Sequence, residues 1–376
     1  MSAKFNSVED FRRAAKCKLP RMVFDYVEGG AGSERGLTRN RRALEALTFS
    51  PARLIDISTR DQTISPFGRI WSSPFAIAPM GLNGAVRPDG DIILARAAAK
   101  AGLPFVLSTA STSSMEDVAK ASNGELWFQL YVLSRDFANK LVSRAMAIGC
   151  NTLVLTVDVK VNGQRLRDQR SGFSVPLKMR PGILWDCMSH PRWSLDQWRH
   201  GFPKLAHFAD AGGDIAAQKA LMERRLDASF GWNDLKKLRD LWRGTLIVKG
   251  LLREADITQC LNIGVDGVVL SNHGGRQLED AVSPIEMLAR LPARPPAPVL
   301  IDSGIRDGDD ILKALALGAS GVLIGRPMLY ALAADGQAGV ESLIALLKSQ
   351  IDNCMAQVGC SAIDNIVTGD GVNILS

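Results

Sequence analysis

The chain has 376 residues, of which 46% are hydrophobic and 22% charged, the composition of a globular protein with a substantial core. Its net charge of +6 and sequence pI near 9.0 suit an anionic substrate, an anionic cofactor or an anionic membrane surface. No nucleic-acid-binding motif accompanies this mild charge, so nucleic acid is not expected as a partner.

The six cysteines are scattered without a C-x-x-C pair, which favours a reducing compartment over a zinc site or a disulfide framework. The charged N-terminus differs from a signal peptide, and no apolar run reaches the roughly eighteen residues that a membrane-spanning helix needs. We therefore expect a cytoplasmic protein, which can still attach to a membrane surface.

The N-terminal segment SVEDFRRAAKCKLPRMVFDYVEGGA predicts two short helices. Ser7 and Asp10 match a capping box, Pro20 separates the helices, and Gly29-Gly30 ends the second one. The polar, arginine-rich stretch that follows, up to about position 72, is expected to be a connector.

Eight short apolar runs come next, and amphipathic segments such as GDIILARAAAKAG separate several of them. The runs are uninterrupted rather than alternating, which is typical of parallel strands buried on both faces. Eight strands in βα order predict a TIM (β/α)8 barrel, taken as one domain over residues 1–376. The runs are 75–79, 105–109, 126–132, 152–158, 245–250, 267–272, 298–304 and 321–325.

Polar residues recur where these runs end. A single such residue is ordinarily a solvated loop residue, but recurrence across most strands indicates an active site, because in TIM barrels the site lies at the carboxyl ends of the strands. The residues are Gln129, Tyr131, Thr156, Asp158, Lys249, His273, Asp302 and Arg326.

The stretch SNHGGRQLE, at 271–279, places His273 three residues before Arg276 with two glycines between them. Histidine moves protons near neutral pH, and the arginine fork binds a carboxylate or a phosphate. The glycines allow a tight turn or the close approach of a flat ligand. The pattern predicts chemistry on an acid, and Asp158 is the best candidate to orient His273 and stabilise its imidazolium form.

Lys249 ends the fifth run. A buried lysine in that position either forms a Schiff base or holds a positive charge beside a cofactor, and the residues alone do not choose between them. In the last two βα turns, Arg306 and Arg326 accompany glycines where helices begin, with Asp307 as a cap and Pro327 in a first turn. These turns predict a phosphate site.

Between the fourth and fifth runs lies an insertion of roughly 80 residues, too long for an ordinary βα connection, with its distinctive part at about 170–230. It is either a lid or a membrane-attachment surface, because aromatic side chains with basic neighbours suit an anionic leaflet. Its three histidines, His190, His200 and His207, are expected at the surface, and no metal site is expected. Its tryptophan and basic residues are Trp185, Trp193, Trp198, Lys178, Arg180, Arg192, Arg199 and Lys204.

The motif SNHGGRQ resembles the signature of the FMN-dependent α-hydroxy acid dehydrogenases and oxidases. The resemblance runs nearly end to end, through LPRMVFDYVEGGA, FQLYV, TVDV, VKG and LIDSGIR to IGR. The stretches APMGLNGA, FVLSTAS and DVKVNGQRLRD are most similar to the membrane-associated branch that oxidises (S)-mandelate. The resemblance implies a barrel that binds FMN and oxidises a 2-hydroxy acid to the 2-keto acid.

The resemblance also implies a role for each site residue. His273 is the base, Asp158 supports it, and Tyr131 completes the catalytic set. The substrate-binding residues are Tyr26, Tyr131, Arg165, His273, Arg276, Gly81 and Ala110. The FMN-binding residues are Ala78, Pro79, Met80, Ser108, Gln129, Thr156, Lys249, Ser271, Asp302, Gly304, Arg306, Gly325 and Arg326. The resemblance places Lys249 beside the flavin, which favours a positive charge next to a cofactor over a lysine that forms a Schiff base.

Gly81 and Ala110 stand where the resemblance places the substrate's side chain, and small-substrate oxidases carry bulkier groups there. We therefore expect (S)-mandelate, oxidised to benzoylformate, with L-lactate as the alternative because lactate-type dehydrogenases also carry glycine at the first position. The rival classes are an FMN-dependent isomerase, a Schiff-base lyase and a non-catalytic basic barrel.

The expected electron acceptor is a membrane quinone, and the alternative is O2 with release of hydrogen peroxide. No C-x-x-C-H haem-attachment motif occurs, so an intramolecular cytochrome is excluded. The resemblance further implies a homo-oligomer, with a tetramer expected, at the cytoplasmic face of the inner membrane.

Overall fold

The centre of the computed structural model is a closed barrel of eight parallel strands. All eight apolar runs form barrel strands, so the predicted TIM barrel is confirmed. The structure describes residues 5–173, 180–209, 226–291, 295–367 and 372–375. The barrel strands are β2 (Phe75–Ile77), β3 (Phe105–Ser108), β4 (Leu126–Leu130), β5 (Thr152–Thr156), β6 (Thr245–Leu251), β7 (Gly267–Leu270), β8 (Val299–Ile301) and β9 (Gly321–Ile324).

Helices surround the barrel and extend the chain before and after it. Two strands outside the barrel, β1 (Thr48–Pro51) and β10 (Val372–Leu375), pair with each other in antiparallel fashion. The helices before the insertion are α1 (Val8–Lys18), α2 (Arg21–Glu28), α3 (Arg35–Glu45), α4 (Asn83–Val86), α5 (Gly90–Ala101), α6 (Met115–Ala121) and α7 (Arg135–Ala147). The later helices are α8 (Leu166–Ser171), α9 (Pro181–Ser189), α10 (Pro191–His200), α11 (Ala206–Ala209), α12 (Trp232–Leu241), α13 (Glu254–Ile263), α14 (Pro284–Ala289), α15 (Gly308–Ala316), α16 (Arg326–Val358) and α17 (Ile363–Val367).

The barrel interior is filled by one fully buried apolar side chain from every strand. Their neighbours along each strand belong to the larger cluster between the barrel and the helices, so both faces of every strand are buried, as the uninterrupted runs predict. The interior side chains are Ala76, Val106, Trp127, Val154, Ile247, Val269, Leu300 and Leu323.

The turn around residues 64–71 closes the end of the barrel where the strands begin. The Trp71 ring lies 5.5 Å from the ring of Trp127, and Phe67 meets the same ring edge-on at 5.7 Å. A Cβ at Gly267, the first residue of β7, would lie 2.6 Å from the Phe67 ring. Ligand access is therefore left to the opposite end, where the strands finish.

The N-terminal helices match their sequence signals, but the stretch after them is more regular than a connector. The Ser7 hydroxyl accepts a hydrogen bond from the Asp10 amide, and Gly29 caps the end of α2. The expected connector contains α3 and β1. Helix α3 starts from a left-handed Glu34 without a side-chain cap, and the partner strand of β1 lies near the other end of the chain, so neither element has a local signal.

Trp193 and His207 hold the insertion to the barrel, and the predicted surface position of His207 is wrong. Trp193 is buried, and its Nε1 donates to the carbonyl of Ala85 at 2.8 Å. His207 is also buried, with Nδ1 3.1 Å from the Thr109 carbonyl oxygen. Both side chains anchor the insertion to loops at the carboxyl end of the barrel, a tertiary contact that composition does not show.

Other parts of the insertion are exposed or lie outside the described residues. Trp185 and Trp198 are 73% and 80% exposed. Lys178 and parts of the predicted 170–230 segment fall outside the residues that the structure describes. Among the described helices, none is both long enough and apolar enough to cross a bilayer.

We expect Leu300→Ala to lower the free energy of unfolding by about 2–5 kcal/mol, because it leaves a cavity in the closely packed barrel interior. The matched control is Met146→Ala, since Met146 is 41% exposed on α7 and its loss should change stability by less than about 0.5 kcal/mol. Urea denaturation of both variants measures the difference. Equal stabilities would show that the interior layer is not closely packed.

Candidate active site

A cavity of about 580 Å³ opens at the carboxyl ends of the barrel strands. It is lined by all the site residues predicted from the sequence except Asp158, Gln129 and Ser271. Each of these three lies behind the wall and hydrogen-bonds to a lining residue. The predicted residues from all eight βα turns and from α2 are thus brought to one place.

His273 and Asp158 form the hydrogen-bonded pair that the sequence suggests. Nδ1 of His273 lies 2.9 Å from Asp158 Oδ1, and Nε2 lies 3.5 Å from the Tyr131 hydroxyl inside the cavity. A hydrogen on Nδ1 that is donated to Asp158 leaves the lone pair of Nε2 facing the cavity. Gly250 permits this pairing, because a Cβ there would lie 2.7 Å from Cβ of Asp158.

The backbone of the SNHGG segment is unusual. His273, Gly274 and Gly275 all have positive φ values, of 58°, 65° and 72°. For a histidine this conformation is strained, and strain of this kind is retained where surrounding contacts enforce it. Here the His273 amide donates to Ser271 Oγ at 3.0 Å, and the Gly274 amide donates to Ser303 Oγ at 2.9 Å. The two glycines therefore serve to turn the imidazole into the cavity.

Lys249 brings a buried positive charge to the cavity wall. Its Nζ lies 2.7 Å from Asp302 Oδ2 and donates to Ser271 Oγ at 2.7 Å. Burial alone would lower the pKa of Lys249, but the carboxylates of Asp302 and Asp158 outweigh that effect and raise the pKa. The lysine is therefore a fixed cation at neutral pH and not a nucleophilic amine.

Two arginines meet at the carboxyl end of α2. Arg276 donates to the carbonyl oxygens of Val27 at 3.3 Å and Gly29 at 2.7 Å, and Arg326 donates to the same two at 3.1 and 3.0 Å. Helix carboxyl ends favour cations. Even so, burial and the neighbouring guanidinium groups of Arg276 and Arg306 lower the pKa of Arg326 to about 10. A bound anion would relieve this repulsion.

Near Gly81 the cavity wall is mostly apolar. A Cβ at position 81 would lie 2.8 Å from the Ala110 Cβ, so only glycine fits there. The Tyr26 hydroxyl donates to the Gly81 carbonyl at 3.2 Å, and Phe173 stacks on the Tyr26 ring at 4.4 Å. Behind this wall lies a buried cluster of Leu82, Ala85, Leu205 and Phe208. The wall at Gly81 and Ala110 thus carries only small side chains, and the cavity in front of it suits an apolar, flat group.

Several cavity residues are missing from the sequence-based set. One is Asp168, the last residue of the recognised DVKVNGQRLRD stretch, whose Oδ2 lies 3.7 Å from NH1 of the predicted Arg165. Another is Phe173, shortly after that stretch, which covers Tyr26. Ser303 holds Gly274 and has a φ of 75°, which sequence does not reveal. For Phe173 the sequence did offer a signal, because the residue stands where the long insertion leaves the carboxyl end of the barrel.

Comparisons with known proteins agree with this geometry. A family model for FMN-dependent dehydrogenases matches residues 15–371. The chain belongs to that family. It is 51% identical over 367 residues to the (S)-mandelate dehydrogenase of Pseudomonas putida, covering 97% of this chain and 93% of the relative. An L-lactate dehydrogenase of Caulobacter vibrioides is 42% identical over 371 residues, with 96% of each chain covered.

Solved structures give the same result. The crystal structure described as the monotopic membrane protein (S)-mandelate dehydrogenase superposes with a TM-score of 0.95 at 50% identity, covering 99% of this chain and 100% of that one. A mandelate oxidase with (S)-4-hydroxymandelic acid gives 0.86 at 36% identity, with 99% of each chain covered. The predicted FMN-dependent dehydrogenase is therefore confirmed.

The cavity fits FMN. Gln129 Nε2 and Thr156 Oγ1 are buried with no hydrogen-bond partner among the described residues, and each can bond a polar edge of the flavin ring. At another part of the cavity, Arg306 and Arg326 stand near the start of α16, which suits a phosphate dianion. The donors thus match a polar ring and a terminal phosphate.

We expect Asp302→Asn to lower the free energy of unfolding of the cofactor-free protein by about 3–5 kcal/mol, because the buried Lys249 ammonium loses its nearest carboxylate. The double variant Asp302→Asn/Lys249→Met should recover most of that loss. The control is Asp352→Asn, which breaks a surface pair with Arg60 and should cost less than about 1 kcal/mol. Urea denaturation gives the values, and equal losses in the single and double variants would contradict the charge argument.

Proposed function

We propose that the chain oxidises (S)-mandelate to benzoylformate with FMN as its cofactor. The observation that carries the proposal is the cavity in which His273, backed by Asp158, is brought together with Arg165 and Arg276. A 2-hydroxy acid needs a base near its hydroxylated carbon and a cationic grip on its carboxylate, and these residues supply both. The 51% identity to (S)-mandelate dehydrogenase supports the same substrate.

In this proposal the chain's own residues orient the substrate and accept the proton that it loses. Arg165 and Arg276 hold the carboxylate by charge-assisted hydrogen bonds, and Tyr131 bonds the hydroxyl group. Nε2 of His273 accepts the proton that leaves the substrate as the α-carbon is oxidised. Asp158 then stabilises the imidazolium, at the 2.9 Å contact already present. FMN, when bound, accepts the two electrons.

The proposed cofactor contacts follow from the polarity of the wall. Ala78, Pro79 and Met80 offer backbone for the flat ring, with Ser108, Gln129 and Thr156 at its polar edge. Lys249 would stabilise negative charge on the reduced ring, since the cation stays protonated at neutral pH. The ribityl and phosphate groups would contact Asp302, Gly304, Arg306, Gly325 and Arg326, with Ser271 holding Lys249 from behind.

The apolar wall favours an aromatic substrate. Gly81 and Ala110 pack against each other beside Tyr26 and leave that part of the wall without bulky side chains, and the cluster of Leu82, Ala85, Leu205 and Phe208 lies behind it. Burying a phenyl ring there adds apolar contact that a methyl group cannot make. L-lactate is the second candidate, because the L-lactate dehydrogenase relative is 42% identical. Anaerobic flavin reduction by (S)-mandelate, L-lactate and glycolate decides between them.

We expect His273→Ala to keep bound FMN but to slow substrate-driven flavin reduction by about 10²–10⁴-fold, the usual contribution of a general base. His200→Ala is the control, because His200 is exposed on α10. Stopped-flow absorbance under anaerobic conditions measures the rates, and the flavin spectrum of the purified variant measures cofactor content. Reduction near the parent rate would remove His273 from the role of base.

We also propose peripheral attachment to an anionic membrane, at the cytoplasmic face of the inner membrane, with a quinone as acceptor. Support comes from α9 and α10, where Leu184, Trp185, Met188 and Trp198 are exposed near Arg180, Arg192 and Arg199. The (S)-mandelate dehydrogenase of similar structure is described as a monotopic membrane protein. Reoxidation of the reduced enzyme by a quinone or by air tests the acceptor against the O2 alternative.

Apolar side chains are also exposed in the segment between β1 and β2. Leu54 is fully exposed with a left-handed φ of 62°, and Ile55 and Ile70 are also exposed. Exposed apolar side chains in this number suit an interface between copies of the chain. We propose a homo-oligomer, with a tetramer as the expected size, and light scattering measures it.

We expect the double variant Trp185→Ser/Trp198→Ser to lose most of its binding to phosphatidylglycerol-containing vesicles while keeping flavin reduction by substrate, because both side chains point away from the barrel. Trp232→Ser is the control, since Trp232 is also exposed but lies on α12, outside the two helices. Co-sedimentation at low and high salt measures binding. Unchanged sedimentation of the double variant would exclude α9 and α10 as the attachment surface.

A further inference from the structure

Asp91 is a buried carboxylate that the proposed reaction does not use. It lies in the first turn of α5 and is completely shielded from solvent. Burial raises the pKa of Asp91, and hydrogen bonds from Thr112 and Asn83 oppose that rise. A carboxylate hidden in this way is costly unless its acceptor sites are satisfied. Its partners therefore indicate why it is there.

The Asp91 carboxylate joins two loops that follow neighbouring strands. Oδ1 accepts from Asn83 Nδ2 at 2.8 Å, in the segment after β2. Oδ2 accepts from both the backbone amide and the hydroxyl of Thr112, at 3.0 and 2.7 Å, in the loop after β3. The Gly84 amide closes the connection by donating to Thr112 Oγ1 at 2.9 Å. One side chain thus binds both loops at once.

These two loops carry the apolar wall of the substrate cavity. Gly81 stands two positions before Asn83, and Ala110 stands two positions before Thr112. The Leu82 amide donates to the Ala110 carbonyl at 2.9 Å, which sets the separation of the loops next to the cavity. Asp91, Asn83 and Thr112 do not themselves line the cavity.

The segment after β2 is also strained. Leu82 has a φ of 59° and Asp89 a φ of 56°, both in the left-handed region that non-glycine residues avoid. Such conformations persist only where tertiary contacts enforce them, and they concentrate at functional sites. The Asp91 carboxylate supplies a contact of that kind, because from α5 it bonds Asn83, the residue next to Leu82.

We propose that Asp91 is a positioning residue for substrate selection, which holds Gly81 against Ala110 so that the wall against which the substrate's aromatic ring packs keeps a fixed position. The inference rests on the proposed function, because that function places the ring beside Gly81 and Ala110. Asp91 does not touch substrate or cofactor. It acts through Asn83 and Thr112.

The test compares Asp91→Asn with the parent holoenzyme. In the parent, each carboxylate oxygen of Asp91 faces donors, which are Asn83 Nδ2 on one side and the amide and hydroxyl of Thr112 on the other. The asparagine puts an NH2 group in place of one of these oxygens, so a donor then faces a donor. The ratio of kcat/KM for (S)-mandelate to that for L-lactate should fall about tenfold, the size of effect that altered fit in a hydrophobic pocket produces. The FMN content should not change. L-Lactate, with only a methyl group, makes little use of the wall.

A variant that only lowers stability separates positioning from general loss of stability. The control Ile257→Ala creates a cavity on α13, which packs near β6 and β7, and should leave the ratio unchanged. A ratio that shifts equally in Asp91→Asn and Ile257→Ala overturns the proposal.

Hydrogen exchange gives a readout that does not depend on activity. In Asp91→Asn, the amides of Leu82, Gly84 and Thr112 should exchange at least about tenfold faster than in the parent, because their acceptors are no longer held. Unchanged exchange at these amides overturns the proposal even if the ratio moves. If the parent oxidises none of the acids, the proposed function fails, and the exchange result still decides whether Asp91 holds the two loops.

Discussion

The organisation of the site depends on holding several positive charges in one buried cavity. Lys249, Arg276 and Arg326 all line it, and like charges so placed repel strongly in a medium of low dielectric constant. The protein counters this with carboxylates at Lys249 and with the carbonyl oxygens at the end of α2 for the two arginines. Burial, followed by the neighbouring guanidinium groups of Arg276 and Arg306, still lowers the pKa of Arg326 to about 10. The remaining positive potential is what makes the cavity attractive to a phosphate and a carboxylate together.

The proton-handling group, His273, shares its acidic partner with one of these cations. Asp158 contacts His273 directly and also contributes to the field at Lys249, so one carboxylate serves both groups. The left-handed turn at His273 and its two glycines fixes the imidazole in this position. Three features therefore meet at the cavity wall. They are the strained backbone at His273, the hydrogen bond from His273 to Asp158, and the ion pair of Lys249 with Asp302.

The sequence predicts the barrel and the content of the cavity well, for physical reasons. Strands buried on both faces appear as uninterrupted apolar runs, and barrel closure then aligns every strand end. For that reason residues as distant in sequence as Tyr26 and Arg326 are found on one wall. Prediction fails where a residue's environment is tertiary. His207 looks like a surface residue because nothing local shows the Thr109 carbonyl beside it, and nothing local shows the bond from Trp193 to Ala85.

The same limit applies to regular structure outside the barrel. The pairing of β1 with β10 joins segments from opposite ends of the chain, and α3 starts without a capping side chain, so neither has a nearby pattern to reveal it. The role of Asp91 is similarly invisible, because an aspartate in a first helical turn is ordinary. Only its burial and its two-loop partners distinguish it.

Helix α10 has different neighbours on its two sides. Trp198 faces solvent, whereas Trp193 and Gln197 point inward and donate to the carbonyl oxygens of Ala85 and Gly84 in α4, at 2.8 Å each. Anyone who shortens the insertion to obtain a protein that is easier to purify would also strip these two donors from α4. A truncated design has to supply replacement donors or admit water there, and the first property to examine in such a protein is its choice among acids of different size.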